Sequence, residues 1–143
     1  MGASSEIYDF MQISQGYYQA RMALELGKRS GSMNWCCRFD DYLLEYLLNQ
    51  GGEHLSPELL CSNKLLILKQ YDEKNKTELY LTLQVYLELE RNVLQTAKAL
   101  FIHRSTLFYR LERIRKLADI DYEDAKERLV LLLSFQILEQ RIV

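Results

Sequence analysis

Apolar residues recur along this chain mostly three and four positions apart, with polar residues between them, and that spacing predicts a succession of helices. The first helix runs from Ser14 to Arg29, with Tyr17 or Tyr18, Ala20 or Arg21, Leu24 and Gly27 spaced along it. A turn at Gly31-Ser32 follows, then Met33–Phe39, whose large and sulfur-bearing side chains predict a short strand. Asp40 or Asp41 caps a helix over Tyr42–Asn49. Gly51-Gly52-Glu53-His54 is the clearest break and marks a domain boundary, giving residues 1–50 and 51–143. Ser56-Pro57-Glu58 supplies a cap, a proline for the first helical position and an early acid. That helix reaches about Tyr71, with a break expected near Ser62-Asn63. Asp72–Lys76 reads as a polar turn. Asn75 with Glu78 then caps a long helix to Glu90, burying Leu79, Leu83, Tyr86 and Leu87.

The pattern tightens between Asn92 and Lys116. Asn92 caps a short helix, with Gln95 placed to reach back to it, and Val93, Thr96, Ala97 and Leu100 share one face. Phe101-Ile102-His103 is a connector, and a second helix of about 104–117 buries Leu107, Leu111, Ile114 and Ala118. Two helices crossing steeply need a small residue at their approach, here Ala97, and apolar side chains at the corner, here Leu100, Ile102 and Leu107. Asp121, Glu123 and Asp124 open a last helix whose run Leu129–Leu138 is apolar nearly all round. Such a helix is either a core element wrapped by the others or a surface that closes a dimer. The fold class expected is mostly α, a helix-turn-helix bundle after a short remnant of an α/β domain.

Composition supports that reading. With 48% apolar residues a core can form, and one proline and six glycines favour long helices. The apolar-rich run Leu129–Leu138 is too short to cross a bilayer, so a soluble cytoplasmic protein is expected. Three cysteines predict reduced thiols, with vicinal Cys36-Cys37 poorly placed for a disulfide and Cys61 in the core. His54 and His103 have no thiol or carboxylate at ligand spacing, so neither a metal nor another cofactor is expected. No nucleophile–base set, glycine loop or carboxylate pair points to an enzyme.

Charge is unevenly spread. Residues 92–116 hold six cations and one acid, a net +5 within a chain of −2. A local basic patch on an acidic body suits binding to phosphates. At the start of the second helix Arg104 has the reach and fork geometry for a guanine edge. Ser105 and Thr106 suit a thymine methyl or a phosphate, and Tyr109 either. Lys98, Arg110, Arg113, Arg115 and Lys116 suit phosphates, which set register rather than sequence. His103, at the turn, either caps the second helix or approaches a phosphate, capping being the favoured reading. Phe108 is expected to pack.

The same residues resemble the C-terminal DNA-binding domain of PucR/CdaR-type bacterial transcription regulators, whose helix-turn-helix is similar to that of Fis. Asn92, Thr96-Ala97, Leu100, Ile102-His103-Arg104, Thr106-Leu107, Tyr109-Arg110-Leu111 and Arg113-Ile114 fall on the family pattern. Ser105 stands where members often carry Asn and Phe108 where many carry Arg, so base preference is not carried over. YYQARMALELGKR and RFDDYLLEYLL resemble the end of the central domain that precedes the DNA-binding part. The resemblance implies sequence-specific double-stranded DNA binding in a regulator of a catabolic operon, as a homodimer, with a small-molecule effector sensed by a region upstream. Two other readings stand beside it: a protein-interaction or oligomerisation module, and a Fis-like architectural DNA binder.

Overall fold

A computed structural model describes residues 1–31, 33–52 and 56–139. The chain divides into two compact units, Met1–His54 and Leu55–Val143. The expected boundary stretch lies partly outside the described residues. The helix before it runs on through Gly51 and Gly52.

In the first unit, β1 (Gly2–Ala3) pairs in parallel with β2 (Cys37–Arg38), and α1 (Ile13–Arg29) and α2 (Leu43–Gly52) complete it. The strand expected over Met33–Phe39 is confined to two residues, because β1 offers only two to pair with. Gly2 lets β1 lie against α1: a Cβ there would stand 1.9 Å from the Ala20 carbonyl oxygen. The buried face of α1 is Gly16, Ala23, Leu26 and Gly27, so of the positions spaced along it in the sequence Gly27 is buried while Tyr17 and Tyr18 are exposed. The wide tyrosines are displaced outward because small residues are needed where α1 meets its neighbours. Ala23, Cys37 and Phe39 form the core, with Met22, Tyr42 and Tyr46 against it. Of the vicinal cysteines only Cys37 is buried; Cys36 is exposed.

The second unit contains α3 (Pro57–Leu60), α4 (Asn63–Asn75), α5 (Leu79–Glu88), α6 (Val93–Ala99), α7 (Arg104–Ala118) and α8 (Ala125–Glu139). The chain is mostly α, and the break between α3 and α4 falls where Ser62-Asn63 predicts it. Asp72–Asn75, read as a turn, instead forms the last turn of α4. The start of α5 is capped by Asp72: its carboxylate accepts from Leu79 N (3.0 Å), Tyr80 N (2.7 Å) and the Thr77 hydroxyl (2.5 Å). Asn75, the expected cap, instead donates to the Tyr71 carbonyl at 2.9 Å. A carboxylate satisfies two free N–H groups with charge assistance, which an amide oxygen does less well.

The expected stripes of α5 and α7 are the core. Leu79, Leu83, Tyr86 and Leu87 meet Leu107, Leu111, Ile114 and Ala118, joined by Leu65, Leu68, Leu131 and Phe135. Tyr86 stands edge-on to Tyr122 at 5.6 Å and Tyr80 to Phe135 at 5.0 Å. In α8, Leu131, Ser134 and Phe135 are buried while Leu129 and Val130 are exposed, so the core covers one side of this helix and not all of it. Cys61 is only half-buried, its thiol donating to the Ser134 carbonyl at 3.6 Å.

The corners of this unit contain no glycine, since all six glycines lie at or before residue 52. Lys76, Glu90, Arg91, Phe101 and Asp119 take left-handed backbone angles instead. Packing on both sides of each corner must hold a conformation that L-residues disfavour. No helix of the described residues is long and apolar enough to cross a membrane.

Candidate nucleic-acid interface

The basic segment is shaped by the turn between α6 and α7. Asn92 accepts from Gln95 N at 3.0 Å and so starts α6. The helix ends in a Schellman arrangement, with Ile102 N donating to the Ala97 carbonyl at 3.0 Å and Phe101 N to the Lys98 carbonyl at 3.2 Å. Phe101 takes the left-handed position at φ 54°, its side chain 95% exposed. Buried Ala97 and half-buried Ile102 and Leu100 pack against the core at the corner. His103 then turns the chain with extended angles, and α7 begins at Arg104. The His103 ring makes no cap bond, so the expected capping role is absent.

The start of α7 differs from those of its neighbours. Side chains cap α5, α6 and α8, the last through Asp124 accepting from Glu127 N at 2.7 Å. No side chain caps α7 and no acid lies in its first turn. Instead it carries Arg104, a cation at the positive end of the helix dipole, with no hydrogen bond or ion pair among the described residues. Ser105 and Thr106 are exposed beside it. These free N–H groups and this uncompensated cation suit an external anion.

Other side chains divide into free and held. Lys98 and Lys116 are exposed and have no partner among the described residues. Arg110 is held on α5, donating to Thr82 Oγ1 at 3.0 Å and to Glu78 Oε2 at 3.3 Å. Arg115 stacks on the Tyr122 ring at 4.7 Å from its centroid. Arg113 donates to the Tyr109 hydroxyl at 2.8 Å and to that of Tyr71, and lies over the Tyr71 ring at 5.4 Å. Those hydrogen bonds, Tyr71's first, raise the Arg113 pKa above its usual value. Its Nε is buried with no hydrogen-bond partner among the described residues.

Phe108, expected to pack, is 54% exposed and falls outside the buried stripe of α7. Tyr109 is exposed next to it. Glu112, the one acid of the basic segment, is also exposed. Tyr71 and its bond to Arg113 are absent from the sequence-based expectations. No local signal marks them, since the two residues are 42 positions apart.

Two helices joined by a tight corner, the second bearing an open cationic start, define a helix-turn-helix protein. Residues 79–137 match the family model of the PucR C-terminal helix-turn-helix domain, so the chain carries a domain of that family. It is 35% identical over 130 residues to the carbohydrate diacid regulator of Escherichia coli (strain K12), covering 90% of this chain and 33% of that protein. It is 26% identical over 145 residues to the proline-responsive transcriptional activator PutR of Bacillus subtilis (strain 168), covering 99% of this chain and 34% of that protein. Against the purine catabolism regulatory protein of the same organism it is 37% identical over 62 residues, 43% of this chain and 11% of that protein. The chain thus spans about a third of the length of the first two relatives. No solved structure matches it.

Proposed function

We propose that the second unit binds duplex DNA in a sequence-specific manner, as part of a cytoplasmic transcription regulator of a catabolic operon. The observation that carries this reading is the start of α7: uncapped, without an acid, and bearing unpaired Arg104. In this reading α7 enters the major groove with Arg104, Ser105, Thr106 and Tyr109 at the base edges. Lys98, His103 and Lys116 meet phosphates directly. Arg110, Arg113 and Arg115 reach phosphates from positions braced by Glu78, Tyr71 and Tyr122. Two of the relatives, a carbohydrate diacid regulator and a proline-responsive activator, support regulation of nutrient use. The first unit is read as part of the region preceding the DNA-binding domain, supported by the diacid regulator's match across 90% of this chain. An effector is sensed outside the second unit.

The protein acts as a homodimer in this reading, since two half-sites are read by two recognition helices. Exposed Leu129 and Val130 on α8 offer an apolar surface for it. The same surface supports the second reading, an assembly module whose basic face meets an acidic protein.

Fluorescence anisotropy on a duplex selected from a random pool, against a scrambled one, tests the proposal. Wild type is expected to prefer the selected duplex, and Arg104→Ala to lose about 1–3 kcal/mol of that preference. With about four to six phosphates neutralised per monomer, log K falls with log salt at a slope near −4 to −5. Equal binding to both duplexes at every salt concentration leaves architectural binding only. No binding by a folded protein moves the reading to the assembly module.

A further inference from the structure

A cleft of about 520 Å³ lies between the α4–α5 corner and the flank of α7, with Tyr71 and Lys76 on one side and Tyr109, Arg110 and Arg113 on the other. Its charge is one-sided once the acids are accounted for. Asp72, behind the corner, is committed to the start of α5 through three hydrogen bonds. Glu78, on the rim, is committed to Arg110. Lys76, at the left-handed end of α4, donates its backbone N–H to the Asp72 carbonyl, while its ammonium has no hydrogen bond or ion pair among the described residues. Arg113 bonds to two neutral phenols, which orient its guanidinium without offsetting its charge, and leave its buried Nε unpartnered. Two uncompensated cations thus share a cleft with hydroxyls that fix one of them. That is a seat for a singly charged oxyanion with several acceptor oxygens.

We propose that this cleft seats one backbone phosphate of bound duplex DNA, with Lys76 and Arg113 as its charged contacts and Tyr71 as the residue that positions Arg113. This rests on the DNA-binding reading above and deepens it by adding a contact from outside the helix-turn-helix. Tyr109 belongs both to this cleft and to the exposed face of α7. A phosphate held here is therefore adjacent to the base-reading side chains and sets how far along the groove α7 sits. Phosphate contacts fix register and carry no sequence information themselves.

The test uses the full chain and a duplex selected from a random pool, with folding of each variant checked by circular dichroism. Lys76→Gln is expected to lower the salt slope by about 1 and to weaken binding about fivefold near 0.15 M salt, with the preference over scrambled DNA unchanged. Single methylphosphonate substitutions, which neutralise one phosphate at a time, are expected to reveal one position that weakens wild type more than Lys76→Gln, which keeps only the Arg113 contact there. Tyr71→Phe, which frees Arg113, is expected to bind more weakly than wild type and to show a smaller methylphosphonate penalty at that same position only. Selective binding with an unchanged slope in Lys76→Gln, or losses that add at every phosphate, would overturn the seat and leave the recognition helix standing. Absence of any preference in wild type would overturn the DNA-binding reading, and the seat with it.

Discussion

The two units differ in how much of their apolar surface they use. In the second, fifteen buried apolar residues from five helices, together with the residues between α7 and α8, form one cluster among the described residues. In the first, the cluster is Ala23, Cys37 and Phe39, while Tyr8, Phe10, Met11, Tyr17, Met33 and Trp35 are strongly exposed. Burying a large apolar side chain contributes about 1.5–3 kcal/mol, so the second unit is much the better supported by its own core. A binding surface must keep its side chains in fixed positions, and the deep core is on the unit that carries the helix-turn-helix.

The largest effect that tests this contrast comes from the core of α7. Leu107 is fully buried, and Leu107→Ala is expected to cost about 3 kcal/mol. Hydrogen exchange is expected to show amides of α5 and α7 opening about a hundredfold more often, with those of α1 unchanged. Acceleration of α1 as well would show that the units share one stability. Asp72→Ala comes next. It leaves two N–H groups of α5 and the Thr77 hydroxyl without their acceptor, and a loss of about 1–2 kcal/mol in urea denaturation is expected.

Phe101→Gly acts in the opposite direction. It relieves a left-handed backbone and removes a side chain with almost no contacts, so a gain of about 0.5–1 kcal/mol is expected from thermal melts. A loss instead would show that the Phe101 ring supports the corner. The smallest effect belongs to the first unit's surface, where Trp35→Ser is expected to change stability by less than about 0.5 kcal/mol. A larger loss would mean that the exposed aromatics have a structural role within the chain as it stands.

Much of the second unit is legible in the sequence because its signals are local. The Asn92 cap and the stripes of α5 and α7 depend on residues three to seven apart, which helical geometry brings together unaided. What escapes local reading depends on contacts between elements. Asp72 caps α5 from seven and eight positions away, and only the left-handed corner at Lys76 brings it there. Arg110 and Arg113 have the composition of a solvated basic face, yet α4 and α5 hold both. Phe108 has the chemistry of a core residue but lies one position past Leu107, and so turns away from the stripe. In the first unit the burial of α1 is set by where glycine and alanine permit close approach, so its tyrosines mislead a reading based on hydrophobicity.

The glycine-free corners have a consequence for how this unit can change. Strain at a left-handed residue arises from the backbone and Cβ, which every unbranched L-residue shares. Exchanging one such side chain for another at Lys76, Glu90 or Phe101 therefore leaves the fold's energy nearly level. These corners are sites of neutral drift for the architecture, open to whatever the surroundings favour. Lys76 at the cleft and Phe101 on the corner before α7 occupy two of them, so new binding preferences can be tried there without first finding a compensating change in the core.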